Sequence, residues 1–315
     1  MAERFALGID LGGTQVRAAL VDESGTVHRR AAMRTDVLGG PVAVLAQMEQ
    51  MLATVCEGDM RSKVVGLGIC APGPLDTAAG LVIDIPTLPG WQDFPVRQIA
   101  AELFGLPVVF ENDGIAAAFG EWKFGAGRGL DHLVYVTVST GIGGGVIVDR
   151  HLLHGRRGMA AHLGHMKLAP HGPRCSCGAL GCFEAFAAGS ALDRAAQAEA
   201  DADPAGSLAR YGKEGKLTGS DLVRAARDGD ALALRLLDRE AGYLGEGFTA
   251  LLHLFSPDMI VMGGGVSKAF DLLYPGIDAV IQRTAMEPFR EVPIVTAELQ
   301  DNAGLVGVAG LVFGA

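Results

Sequence analysis

Cys175-Ser176-Cys177-Gly178-Ala179-Leu180-Gly181-Cys182 puts three thiols within eight residues, and His162, His165 and His171 lie shortly before them. Three thiolates and one imidazole make a complete tetrahedral set for Zn²⁺ with no open position, so such a site would be structural. The plainer alternative, three buried thiols and a satisfied histidine, is weakened by the unusual Cys-x-Cys. Spacing leaves open which histidine completes the set.

Glycine clusters form a second group. Asp10-Leu11-Gly12-Gly13-Thr14 and Thr140-Gly141-Ile142-Gly143-Gly144-Gly145 each sit between two apolar runs, and Gly263-Gly264-Gly265 follows a third. Glycines let the backbone approach phosphate oxygens, Thr14 and Thr140 can donate hydroxyl hydrogen bonds, and Asp10 can hold Mg²⁺ directly or through water. One such turn is more often an ordinary hairpin, but two at matching places suggest a polyphosphate gripped from both sides. None matches a P-loop or G-x-G-x-x-G, which disfavours a dinucleotide-binding dehydrogenase.

Glu111-Asn112-Asp113 ends the apolar run Val108–Phe110. A hydroxyl attacking phosphorus must lose its proton, and a carboxylate in reach can take it. Asn-Asp after a strand is also an ordinary turn or helix N-cap, and spacing alone favours that plainer reading.

These groups need elements to position them. Phe5–Asp10 and Val16–Val21 read as a hairpin, Pro41–Cys56 as a helix, and Val64–Cys70 and Val108–Phe110 as strands. Leu133–Val138 and Val146–Val148 around the second glycine turn echo residues 5–22, which points to a duplicated two-lobed unit. Long helices are expected around 185–200, 218–228 and 230–255. They precede a strand at Met259–Met262, a helix near 267–286, a strand at Ile294–Ala297 and a terminal helix from about Gly304.

At 315 residues the chain fits two domains. Hydrophobic residues at 49% and charged residues at 20% give real cores rather than a disordered polymer. A formal charge of −10 argues against a broad nucleic-acid-binding face. The start, Met1-Ala2-Glu3-Arg4-Phe5, carries no targeting pattern and no run of about eighteen apolar residues occurs, so a cytoplasmic protein with metal-bound rather than disulfide-bonded cysteines is expected.

Assembled, these motifs resemble the ROK family of sugar kinases and repressors. Cys175-x-Cys177-Gly178-x-x-Gly181-Cys182-x-Glu184 reproduces the family's zinc signature without a gap. Asp10-x-Gly12-Gly13-Thr14, Pro72-Gly73-Pro74, Leu88-Pro89-Gly90-Trp91, Asn112-Asp113, Gly141-Ile142-Gly143-Gly144-Gly145 and Gly263-Gly264-Gly265-Val266-Ser267 follow in the family's order.

The resemblance implies an α/β, two-lobed actin-like ATPase (ribonuclease H-like) fold with a central cleft and a structural zinc loop. Residues 1–113, completed by the C-terminal helix at about 301–315, would form the smaller lobe, and 114–300 the larger. It implies Asp113 as the base for a hexose hydroxyl, with Gly73, Asn112, His162, His165 and Glu184 around the sugar. ATP phosphates would lie on Asp10, Gly12, Gly13, Thr14, Thr140, Gly141, Gly143, Gly144, Gly264 and Gly265. His165 would join Cys175, Cys177 and Cys182 on zinc through one nitrogen and meet the sugar with its other edge. A homodimer or dimer of dimers is implied as well.

Two positions depart from the family pattern. Ala161-His162-Leu163-Gly164-His165 stands where Gly-Glu-x-Gly-His is usual, and Thr87 precedes Leu88-Pro89-Gly90-Trp91 where asparagine is common. Both touch sugar recognition. ATP-dependent 6-phosphorylation of glucose is therefore the expected activity, with N-acetylmannosamine, N-acetylglucosamine, fructose or allose as the other hexoses and a non-catalytic sugar-binding regulator as the rival. A repressor is disfavoured because nine residues ahead of Asp10 are too few for a DNA-binding domain.

Overall fold

The computed structural model describes residues 3–212 and 216–314, so Met1, Ala2 and Ala315, at the two ends of the expected smaller lobe, lie outside the described residues. In chain order the elements begin with β1 (Phe5–Leu11), β2 (Gln15–Asp22), β3 (Val27–Arg34), α1 (Gly40–Val55) and β4 (Val64–Ala71). Short β5 (Leu75–Asp76) and β6 (Leu81–Val82) precede α2 (Val96–Phe104), β7 (Val108–Asn112) and α3 (Asp113–Phe124). Next come β8 (Leu133–Val138), β9 (Ile142–Val148), β10 (His151–Leu152), α4 (Phe183–Ala187), α5 (Gly189–Ala202), α6 (Gly219–Arg227) and α7 (Ala231–Phe255). The chain closes with β11 (Met259–Gly263), α8 (Phe270–Thr284), β12 (Ile294–Thr296) and α9 (Ala303–Val312).

Among the described residues, one five-stranded sheet has the order β3-β2-β1-β4-β7 and another the order β10-β9-β8-β11-β12. In the first, β1 is antiparallel to β2 and parallel to β4, which is parallel to β7. Every residue of β1 is buried, as expected of a central strand covered on both faces. The edge strand β3 was not expected from sequence, because Val27-His28-Arg29-Arg30-Ala31-Ala32-Met33-Arg34 keeps its charged residues toward solvent in the manner that blunts sheet edges.

The chain forms two compact units. One comprises Met1–Tyr135, Gly144–Ala161 and Ala297–Ala315; the other comprises Val136–Gly143 and His162–Thr296. In the first, α9 packs on β1, β4 and α3. Small residues make this possible: a Cβ at Gly8 would lie 2.6 Å from the Leu305 carbonyl oxygen, and one at Gly120 2.5 Å from that of Ala303. Glu121, fully buried on α3, locks the arrangement by accepting N–H groups of Ala126 at 3.0 Å, Glu298 at 3.1 Å and Leu299 at 2.7 Å.

In the second unit the helix expected around 185–200 is two helices. Ala188 is extended, and Gly189 gives its N–H to the Ser139 carbonyl at 2.7 Å instead of continuing the ladder of α4. Near 267–286 a 3₁₀ turn, Gly265–Ala269, precedes the α-helix, which begins only at Phe270. The other two long helices start on side-chain caps. Thr218 and Asp221 form a capping box on α6, and Asp230 accepts from Leu232 and Ala233 N–H, both at 3.0 Å, on α7.

Candidate active site

In the first unit, β1 ends at Asp10 and the chain turns through Gly12 and Gly13 into β2. Gly12 N–H donates to the Gln15 carbonyl at 3.0 Å, and a Cβ at Gly13 would lie 2.7 Å from Thr87, so this turn closes only on glycine. Thr14 follows, its carbonyl accepting Thr35 N–H at 3.1 Å. Asp10 is 8% exposed and ion-paired with Arg17, its cross-strand neighbour.

β7 delivers Glu111-Asn112-Asp113 at its carboxyl end, where α3 begins. Asn112 is the N-cap: its Oδ1 accepts Gly114 N–H at 3.0 Å and Ile115 N–H at 3.3 Å. Asp113 Oδ1 accepts the same Gly114 N–H at 2.8 Å, which orients the carboxylate at the first turn of the helix, where helix dipole and negative charge suit one another. The capping role is thus met by Asn112, and the Asp113 carboxylate sits beside it at the same helix start. Gly73 lies in the turn after β4, half-buried. Gly114 has a packing reason for being glycine, since a Cβ there would meet the Gly144 carbonyl oxygen at 2.6 Å.

In the second unit, His165, Cys175, Cys177 and Cys182 converge, with one ligand atom from each lying within 4.8 Å of the others. His162 and His171 are not in this group, which resolves the choice among the three histidines. Cys177 Sγ and Cys182 Sγ are 3.8 Å apart, and Cys175 Sγ is 3.6 Å from His165 Nδ1. A tetrahedron with Zn–S of about 2.3 Å and Zn–N of about 2.1 Å has S···S and S···N edges of about 3.8 and 3.6 Å, so the donor set fits this ion. Burial pushes the Cys175 thiol up to about 11, while the Ala179 backbone N–H and neighbouring groups lower Cys177. The Nδ1 edge of His165 faces the sulfurs, and His162 stacks on the His165 ring at 6.2 Å between centroids.

Glu184, in the first turn of α4, is bound on both oxygens. Oε1 accepts the Ser176 hydroxyl at 2.7 Å and Oε2 accepts Ile142 N–H at 3.1 Å. Gly141 permits the second contact, since a Cβ there would sit 2.5 Å from Oε2. One carboxylate therefore ties the cysteine loop to the start of β9, just after the Ser139–Gly141 turn. Gly264, at φ +84°, lies in the left-handed region, and a Cβ there would run into the Val138 carbonyl; Ser267 Oγ donates to the Gly264 carbonyl at 2.7 Å.

Sequence reasoning missed a cavity of about 340 Å³ in this unit. Thr140 and Gly265 line it together with the helix starts Gly189-Ser190 and Gly219-Ser220, the polar Ser139, Asp193 and Lys268, and apolar Val223, Leu237 and Leu273. Its size suits a small organic ligand. The signal available in the sequence was the Gly-Ser pair opening each of α5 and α6.

The model of the ROK family matches residues 6–314. The chain belongs to the ROK family. It is 34% identical over 308 residues to a glucokinase of Thermotoga maritima, covering 97% of this chain and 96% of that protein. An N-acetylmannosamine kinase of Yersinia pseudotuberculosis is 31% identical, with 96% of each chain covered. The structure of a ROK family glucokinase from Streptomyces griseus in complex with glucose and AMPPNP matches with a TM-score of 0.85 at 34% identity, covering 98% of each chain. The α/β ROK kinase fold expected from the motifs is thereby borne out.

Proposed function

We propose that this ATP-dependent sugar kinase phosphorylates glucose on its 6-hydroxyl, with Asp113 as general base. The observation that carries the reading is the Asp113 carboxylate, held by Gly114 N–H at the junction of β7 and α3 in a chain similar over its length to a glucose- and AMPPNP-bound kinase. Asp113 takes the proton of the 6-hydroxyl as the oxygen attacks the γ-phosphorus. The bond from phosphorus to the β–γ bridging oxygen breaks, and ADP departs with the negative charge.

The Asp10–Thr14 turn and Thr140, Gly141, Gly143 and Gly144 supply backbone N–H groups and hydroxyls for the phosphates. The cavity under Gly189 and Gly219 suits the nucleoside, with Gly264 and Gly265 at its phosphate end. Mg²⁺, the usual charge-neutralising ion of phosphoryl transfer, would be held by Asp10 through its water shell, since Arg17 already engages that carboxylate. Gly73, Asn112, His162, His165 and Glu184 are assigned to the sugar. Zn²⁺ on His165, Cys175, Cys177 and Cys182 would be structural, fixing the loop whose Ser176 holds Glu184. A cytoplasmic homo-oligomer, a dimer or dimer of dimers, goes with this reading. Among the described residues no helix is long and apolar enough to cross a membrane.

A coupled ADP-release assay over a hexose panel tests it. Glucose is expected to show the highest kcat/KM, and a higher value for N-acetylmannosamine would replace it as substrate. Asp113→Asn should lower kcat by ~10²–10⁴-fold with sugar binding kept. Retention of more than about a tenth of wild-type kcat would remove Asp113 from the role of base.

A further inference from the structure

The geometry points to His154 as a positioning residue for phosphoryl transfer: through Glu111 it fixes the backbone that presents Asn112 and Asp113. This rests on the reading of Asp113 as base. Glu111 is 4% exposed on β7, opposite Cys70 of β4. A buried carboxylate must have partners on both oxygens to stay charged. Oε1 accepts the Asn112 N–H at 2.7 Å, and Oε2 lies 2.9 Å from His154 Nε2.

His154 is itself anchored. It follows β10, where Leu153 N–H donates to the Val146 carbonyl at 2.9 Å, and its own carbonyl accepts Ala160 N–H at 3.0 Å. The hydrogen bond to Glu111 raises its pKa, which favours the doubly protonated ring as donor. The brace is continuous: His154 holds Glu111, Glu111 holds the Asn112 amide, Asn112 Oδ1 caps α3, and Asp113 Oδ1 shares the Gly114 N–H. Glu111 has no need to touch substrate for this. Its two oxygens set where the strand stops and the helix starts, and displacing a reacting group by about an ångström can cost up to ~10²-fold in rate.

The test compares His154→Asn, whose amide is too short to reach Glu111 from the same backbone, with His154→Gln, whose amide nitrogen can replace Nε2. Because the imidazole is half-exposed, both variants are expected to fold, and thermal melting checks that. His154→Asn should lower kcat by about 5- to 50-fold, with KM for sugar and ATP within about twofold of wild type, and His154→Gln should recover most of kcat. In an Asp113→Asn background, His154→Asn should have no further effect. Wild-type kcat in His154→Asn, equal losses in both His154 variants, or a loss that multiplies with that of Asp113→Asn would each overturn the assignment. If Asp113→Asn alone keeps kcat, the base reading fails instead, which the same four proteins distinguish.

Discussion

Ser176, between two cysteines of the metal-ligand set, donates its hydroxyl to Oε1 of Glu184 at 2.7 Å, while Oε2 of the same carboxylate accepts Ile142 N–H. Metal in the cysteine loop and the placement of a candidate sugar ligand are thus one mechanical problem. Metal analysis of the purified protein is expected to give one zinc per chain, lost in Cys175→Ser or Cys177→Ser. Those variants should melt at least about 5 °C lower, and KM for glucose should rise with them. A metal-free preparation with unchanged melting and activity would contradict the site.

Gly141→Ala probes the other oxygen. The new methyl would fall on Glu184 Oε2, so either the carboxylate or the turn must shift. Overpacking of this kind costs about 1–3 kcal/mol. We expect raised KM for glucose and for ATP together, because the turn is assigned to phosphate and the carboxylate to sugar. An increase confined to ATP would place the strain in the turn alone.

Much of this was legible in advance, and the reasons differ by residue. The turn at Gly12-Gly13 and the pairing of β1 with β2 are written in local patterns of glycine and alternating or continuous apolar residues. The histidine of the cysteine cluster was legible only through the family resemblance, which implied His165: spacing leaves His162, His165 and His171 equally near, and the turn at Leu163–His165 is what brings one imidazole to the sulfurs. α3 was read no further than a cap at Asn112-Asp113, because Gly114-Ile115-Ala116-Ala117-Ala118-Phe119-Gly120 is buried nearly all round and shows no apolar stripe. The break at Ala188 depends on a carbonyl from Ser139, some fifty residues away, which no local window contains. For the same reason the cavity between the starts of α5 and α6 stayed hidden although each glycine was in plain view.

Glu240 predicts a pH dependence of stability. It is 3% exposed on α7, its Oε1 has no hydrogen-bond partner among the described residues, and burial pushes its carboxyl up to about 8, opposed only in part by Arg239. A folded-state value above the unfolded one means that the folded state holds the proton more tightly. The associated stability is present in full below pH 4.5 and is lost as pH rises through about 8. Glu240→Gln, which stays neutral, should match wild type near pH 5 and be more stable at pH 9 by on the order of 3 kcal/mol. Parallel denaturation curves at both pH values check this, and an equal difference at the two would show that Glu240 is charged throughout.

His162 stands where a carboxylate is usual in the family, and it stacks on the ring of His165 at an interplanar angle of 22°. A carboxylate there could accept from two adjacent sugar hydroxyls, whereas a neutral imidazole offers one acceptor and one donor. His162→Glu therefore reads the sugar contact directly. One regained hydrogen bond is worth ~0.5–1.5 kcal/mol, or up to ~3 kcal/mol to a charged group, so kcat/KM for glucose should rise about 2- to 100-fold relative to the other hexoses. The stack supplies the opposing expectation: if His162 serves only to cover the His165 ring, its loss should lower metal content and melting temperature and leave the hexose ranking unchanged. Measuring zinc content, melting and the hexose panel on the same variant separates the two, and a changed ranking at full zinc occupancy is the expected result.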